Sequence, residues 1–467
     1  MIELMIDLDG GAKAPLYEKI YEHIKNEIVD GKISQGEKLP STRLLAKNLS
    51  VSRSTVEMAY DQLFAEGYIE SRPCSGYYVC DIRELYQLER PQKAVKQAKS
   101  DEQRIEHHYI DFSPDAIDTM HFPYNIWRKI HKNVLLDDRE ELLFSGDGQG
   151  DWGLRSEIVK YLHQARGVNC EPAQVVIGAG NEYLEILLAQ LVGTGKKVLM
   201  DDPTYMQAYR TFCNIGYEVA ALPVDENGMA LEQIEKVEPD MIYVMPSHQF
   251  PLGSVMNLKK RLELLKWASE GENRYIIEDD HDSEYRYRGK PIPSLQSIDH
   301  DGKVIYLGTF SKSIAPSLRI SYMVLPDRLM QEYHKTCGFY STTVPKVQQE
   351  VLREFIGEGH FGRHLNKMRA IYKNKHDFLA AELKSCKWVK SVRGDHAGLH
   401  VLVEVDTKLT ESELCNKALT AGVKITGISQ HYIQKPMQMK YPVILLGYGK
   451  LSEKEIKEGL EILGNII

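Results

Sequence analysis

At 467 residues, with 43% hydrophobic and 27% charged side chains, the chain has the composition of an ordinary globular protein and the length of two or three domains. No apolar run approaches about 20 residues, so no transmembrane helix and no membrane partner are expected. A formal net charge of −8 argues against a protein that coats nucleic acid over its whole surface. The start, Met1 to Asp7, carries acids and no basic residue ahead of an apolar run, so no secretory signal is expected. Cysteines at 74, 80, 170, 213, 337, 386 and 415 lack close metal-type spacing. They fit free thiols in a reducing cytoplasm, and no metal site is expected.

Residues 10–80 form the first predicted domain. Leu16, Ile20, Ile24 and Ile28 make a four-residue stripe that predicts a helix over Leu16–Val29. Ser41 is placed to cap a helix running to Leu49. Ser50 and Val51 then turn the chain, and Ser52 caps a second helix from Arg53 to Ala65. Two short helices joined by a tight turn make a helix-turn-helix, whose second helix enters the major groove N-terminus first. The candidate DNA contacts are therefore Ser52, Arg53, Ser54 and Thr55, with Arg43 from the preceding helix. Tyr68–Arg72 and Gly76–Val79 predict a β-hairpin wing, which adds Arg72 and Gly76 near its tip. A helical protein–protein module competes with this reading, since residues 1–80 hold nine Lys/Arg against twelve Asp/Glu. Between 32 and 56, however, five basic residues face one acid, Glu37, which concentrates positive charge on the docking face. The runs Leu39-Pro-Ser-Thr-Arg-Leu-Leu-Ala46 and Ser52-Arg-Ser-Thr-Val56 closely resemble the winged-helix domain of GntR-type bacterial repressors.

Residues 81–108 are polar, charged and poor in large apolar groups, the composition of a flexible linker. From 109 to 467, short apolar runs alternate with amphipathic patterns, which predicts an α/β domain. Buried parallel strands are expected at Val175–Ile177, Lys197–Met200, Met241–Val244, Arg274–Ile277 and Lys303–Tyr306, and a capped last helix from Ser452 to about Leu463. Chemistry-bearing residues follow these strands in turn. Gly178-Ala-Gly-Asn-Glu182 opens a helix whose free N–H groups suit a phosphate. Tyr205 could set its ring against a planar cofactor, and Pro246–Gly253 is a turn-rich loop. Asp279 could keep a pyridine nitrogen protonated. Gly308-Thr-Phe-Ser-Lys-Ser-Ile-Ala-Pro-Ser-Leu-Arg319 places Lys312 between hydroxyls and seven residues before a guanidinium. That arrangement suits a Schiff-base lysine beside a phosphate pocket. In parallel sheets, ligands gather at the carboxyl ends of the strands.

This order resembles the fold-type I pyridoxal-phosphate aminotransferases, and the stretch Phe144–Arg155 resembles their glycine-rich segment near the partner subunit's site. With the winged helix, the whole chain resembles the MocR/GabR-type regulators. The resemblance implies a mostly parallel sheet with helices on both faces, a smaller α+β subdomain, and a homodimer whose winged helices read paired half-sites of double-stranded DNA. It also implies pyridoxal 5′-phosphate as cofactor. Lys312 would form the internal aldimine, Asp279 would pair with the ring nitrogen, and Tyr205 would stack on the ring. Gly180, Asn181, Glu182, Thr309, Ser311 and Arg319 would surround the phosphate. A small amine-bearing effector would be sensed by taking Lys312's place.

Three departures accompany the match. Ser247 stands where aminotransferases commonly carry asparagine, and His281 where related regulators carry tyrosine. His281 could still donate to the ring's phenolic oxygen. No arginine follows Arg393, and the stretch Pro442–Gly449 lacks the usual carboxylate clamp. Lysines, His396, His400, His431 or backbone amides could replace it, or the effector lacks an α-carboxylate. That absence counts against a working aminotransferase with a DNA-targeting appendage, and the intact Lys312, Asp279 and Arg319 set counts against a plain repressor.

Overall fold

A computed structural model describes residues 15–73, 75–81, 109–136, 140–225, 228–287, 292–394, 397–434 and 440–467. The predicted linker beyond Asp81 lies outside these residues, as does His396. The chain divides into two compact units, Met1–Ile105 and Glu106–Ile467. Among the described residues no helix is long and apolar enough to cross a membrane, and the six described cysteines are free.

In the first unit, helices α1 (Leu16–Val29), α2 (Thr42–Asn48) and α3 (Arg53–Ala65) precede strands β1 (Ile69–Arg72) and β2 (Gly76–Val79). The stripe Ile20, Ile24 and Ile28 packs on Leu45, Val56, Tyr60 and Leu63. Ser41 Oγ accepts from Leu44 N and Ser52 Oγ from Thr55 N, so both helices start where a side-chain acceptor meets an orphan N–H. The buried Tyr60 hydroxyl donates to the Pro40 carbonyl at 3.0 Å and fixes α3 to the entry of α2. The wing is an antiparallel hairpin pairing Ile69 with Val79 and Arg72 with Gly76.

In the second unit, β3 (Ile110–Asp111) leads to β4 (Val175–Gly178), β5 (Lys197–Asp202), β6 (Glu218–Asp225), β7 (Gly228–Met229), β8 (Met241–Val244), β9 (Tyr275–Asp280), β10 (Val304–Thr309) and β11 (Ser321–Val324). The large sheet runs β4-β11-β10-β9-β8-β5-β6-β7. Alternation along its strands feeds two helical layers. Val198, Met200, Tyr243, Ile277 and Leu307 enter one core. Leu199, Ile242, Val244 and Ile276 enter a second, with Val175, Ile177, Tyr306 and Tyr322 in a third. Burial on both faces explains the nearly continuous apolar runs. Two strands depart from parallel pairing: β7 lies antiparallel beside β6 at the sheet edge, and β11 lies antiparallel between β4 and β10. The connection 310–320 holds only a 3₁₀ turn, Pro316–Leu318, and carries no crossover helix to return the chain in parallel.

A smaller antiparallel sheet, β12 (Val389–Arg393), β13 (His400–Val405), β15 (Thr426–Gly427) and β16 (Val443–Gly447), packs on helices His360–Ser385 and Glu453–Ile466. Between them β14 (Val423–Lys424) pairs in parallel with β3. The last helix runs three residues past the expected Leu463, its start held by the Ser452–Glu455 capping box.

Candidate functional site

On the first unit, the start of α3 presents an exposed basic and hydroxyl surface. Ser52 Oγ lies 2.8 Å from Ser54 Oγ and 2.7 Å from Thr55 Oγ1. Arg53 is exposed and donates to Glu57 one turn on at 2.8 Å. Arg43 stands exposed on α2 and Gly76 on the wing. Arg72, also on the wing, lies 4.2 Å over the Tyr78 ring and pairs with Glu70. Both arginines are thus held by exposed pairs, which DNA phosphates or bases can replace at little cost.

In the second unit, the carboxyl ends of β4, β5, β9 and β10 surround an open cavity. It is lined by Asn181, Glu182, Tyr205, Asp279, His281, Thr309, Ser311, Lys312 and Arg319. The acidic run that ends β9 splits by strand alternation. Glu278 accepts from the Leu295 and Gln296 amides, and Asp280 pairs with Arg166 at 2.6 Å. Asp279, between them, faces the cavity, where the Tyr243 hydroxyl donates to one oxygen and Asn181 Nδ2 lies 3.4 Å from the other. Burial pushes its carboxyl up to about 6 despite the Tyr243 hydrogen bond. Asn181 Oδ1 and Glu185 Oε2 are buried there without hydrogen-bond partners.

Around the helix Asn181–Val192, no side chain caps the first turn. Thr309 Oγ1 accepts from Ser321 Oγ at 2.9 Å and from Ser311 N at 3.2 Å. Arg319 donates to Glu182 at 2.6 Å. Gly180 has φ +108°, and a Cβ there would stand 2.1 Å from Arg319 Nη2, so only glycine leaves room for the guanidinium. Lys312 Nζ lies 3.4 Å from Asp115 Oδ1 and 5.6 Å from the centre of the Phe250 ring. Phe250 in turn meets Tyr205 edge-on at 5.8 Å.

This donor set fits pyridoxal 5′-phosphate. An amine stands at one end, a buried carboxyl that a pyridinium would relieve at the other, and uncapped N–H groups, hydroxyls and a guanidinium flank them.

The Aminotransferase class I and II family matches residues 108–441, and the family of bacterial regulatory proteins of gntR type matches residues 16–79. The HTH-type transcriptional regulator YdeL of Bacillus subtilis is 40% identical over 96% of both chains. The probable rhizopine catabolism regulatory protein MocR of Rhizobium meliloti is 33% identical over 98% of this chain and 95% of its own. The chain belongs to the MocR-type subfamily of GntR regulators. Its large unit has the aminotransferase fold. LysN, the alpha-aminoadipate aminotransferase of Thermus thermophilus, superposes with a TM-score of 0.67 at 25% identity, over 79% of this chain and 94% of that one.

Two features of this MocR-type regulator fall outside the expected site list. Ser247 does not line the cavity: its hydroxyl accepts from Arg166, in the same buried network as Asp280. Ser321, Tyr243, Phe250 and Asp115 join the site unannounced. Tyr243 carried a signal, because a phenol inside an apolar strand needs a buried partner. Ser321 carried none, since only the reversed β11 puts a strand's first residue at the others' carboxyl ends. His281 lies 3.3 Å from Asp282 without hydrogen-bonding geometry, and Asp282 is taken by His248 at 2.9 Å. Burial pushes His281 down to about 4, so its imidazole is neutral near pH 7.

Proposed function

We propose that this MocR-type regulator binds pyridoxal 5′-phosphate through Lys312 and senses an amine-bearing effector, switching its action at a promoter. Supporting this is the cavity that joins Lys312, Asp279 and Arg319 in a chain that also carries a winged helix. When bound, the cofactor supplies an aldehyde carbon that Lys312 Nζ holds and that an effector's primary amine takes over. Asp279 holds a proton at the ring nitrogen. Tyr205 and Phe250 wall the ring, and His281 offers a neutral imidazole to a ring oxygen. Gly180, Asn181, Thr309, Ser311 and Arg319 take the phosphate, with Arg319 exchanging Glu182 for it.

On this reading residues 10–80 bind operator DNA, 81–108 link, and 109–467 sense, in the cytoplasm. Arg43, Ser52, Arg53, Ser54, Thr55, Arg72 and Gly76 form the DNA face. A homodimer would present two such faces to paired half-sites. Supporting the dimer, Leu143, Phe144 and Phe339 are large apolar side chains left mostly exposed in neighbouring segments. Switching requires the effector to favour one of two conformations.

A gel shift and a transcription assay, each with and without cofactor and candidate amines, test the proposal. The expected result is an amine-dependent change in wild type that Lys312→Ala abolishes while DNA binding persists. An unchanged response in the variant would contradict it.

A further inference from the structure

Beside Lys312 the cavity carries negative charge where a carboxylate ligand would need positive. Asp115 Oδ1 stands 3.4 Å from Lys312 Nζ. Its loop is fixed rather than free. Gly447 N donates to Phe112 O at 2.8 Å. A Cβ at Gly447 would lie 2.3 Å from Ser113 O, and one at Gly449 would lie 2.3 Å from Ala116 O. These glycines at the end of β16 seat the 113–117 backbone closely, while the Asp115 side chain stays exposed.

Among the described residues lining the cavity, the other cation is Arg319, which is paired with Glu182 on the phosphate side. Gln207 and Glu185 also line the cavity and carry no positive charge. The imidazoles nearby offer no charge. Burial pushes His281 down to about 4 and His400 down to about 3, and it lowers His431 although Asp115 pulls the other way. Arg393 is exposed at the end of β12 and does not line the cavity. Once the Lys312 nitrogen is engaged in a neutral linkage, Asp115, whose side chain is 61% exposed, has lost the ammonium it pairs with.

We infer that the effector is a short α,ω-diamine, with no more than four carbons between its nitrogens and no carboxylate, whose second ammonium is read by Asp115. The inference rests on the sensing role proposed for Lys312. The spacing follows from distance. An effector nitrogen in the place of Lys312 Nζ lies 3.4 Å from Asp115 Oδ1. An ammonium on the far side of that oxygen adds about 2.8 Å, so the two nitrogens are at most about 6 Å apart. An extended chain of more than four carbons overshoots that limit. A carboxylate at the second position meets like charge.

Three probes of equal length separate the outcomes: 1,4-diaminobutane, butylamine and 4-aminobutyrate, each titrated against cofactor-loaded full-length protein by the visible spectrum of the cofactor. The expected order of affinity is diamine over butylamine by at least tenfold, with aminobutyrate weakest. Asp115→Asn should bring the diamine-to-butylamine affinity ratio close to one. Aminobutyrate binding tightest, or a diamine-to-butylamine ratio the same in wild type and variant, overturns the inference while leaving the cofactor reading intact. If Asp115→Asn does not load, the wild-type order alone decides. Absence of any cofactor spectrum in wild type would overturn both readings.

Discussion

Asp279 is an acid buried at 4% exposure with a phenol, an amide and no cation in hydrogen-bonding contact. Its folded value of about 6 stands above the roughly 4 of an unfolded aspartate. The carboxyl group therefore contributes stability below pH ~4 and loses it as the pH rises through about 6. By linkage, the ionised form costs the cofactor-free protein about 2–3 kcal/mol at pH 8. Asp279→Asn should raise cofactor-free stability by about that amount at pH 8 and by little at pH 4, in denaturant titrations. Rotation of Asn181, whose Oδ1 is unpartnered, can accept the new amide. The same variant should lose cofactor affinity, because the charge that opposes a pyridinium is gone. Equal stability of wild type and variant at pH 8 would remove the strain argument. Asp279 was visible in the sequence because it follows an apolar strand in chain order with the other strand-end residues, where ligands of parallel sheets gather. Ser247 looked similar by position, yet its buried neighbour Arg166 arrives from a helix 81 residues earlier, a pairing no local pattern carries.

The recognition helix α3 was legible to the residue, from the Ser52 cap to Ala65, because capping chemistry and a stripe of apolar positions agree there. Its first turn separates two roles. Ser52 satisfies an orphan N–H, so Ser52→Ala should lower the unit's stability by about 0.5–2 kcal/mol. Arg53 is held only by the exposed Glu57 pair, worth about 1 kcal/mol at most. Arg53→Ala should therefore leave thermal unfolding unchanged and weaken operator binding by about 1–3 kcal/mol if it reads a base. An unchanged gel shift would take Arg53 off the DNA face. Strand β11 was not legible in the same way. Ser-Tyr-Met-Val is apolar enough for a strand, but its direction depends on how a helix-free connection folds back over β10, which periodicity does not encode.

At the scale of the molecule, the proposed sensing has to link two compact units that each have a core of their own. If an effector changes operator affinity by some factor, operator DNA must change effector affinity by the same factor, typically 5–150-fold. Titrating effector into full-length protein with and without a saturating operator duplex should return that matched ratio. A ratio of one in both directions would mean that effector and operator binding are not coupled. All of this depends on the amine of Lys312. Borohydride reduction of full-length protein mixed with pyridoxal 5′-phosphate, followed by peptide mass mapping, tests it most directly. The prediction is a single stoichiometric adduct on the peptide containing Lys312, lost in Lys312→Ala. Label scattered over surface lysines, or none at Lys312, would contradict it.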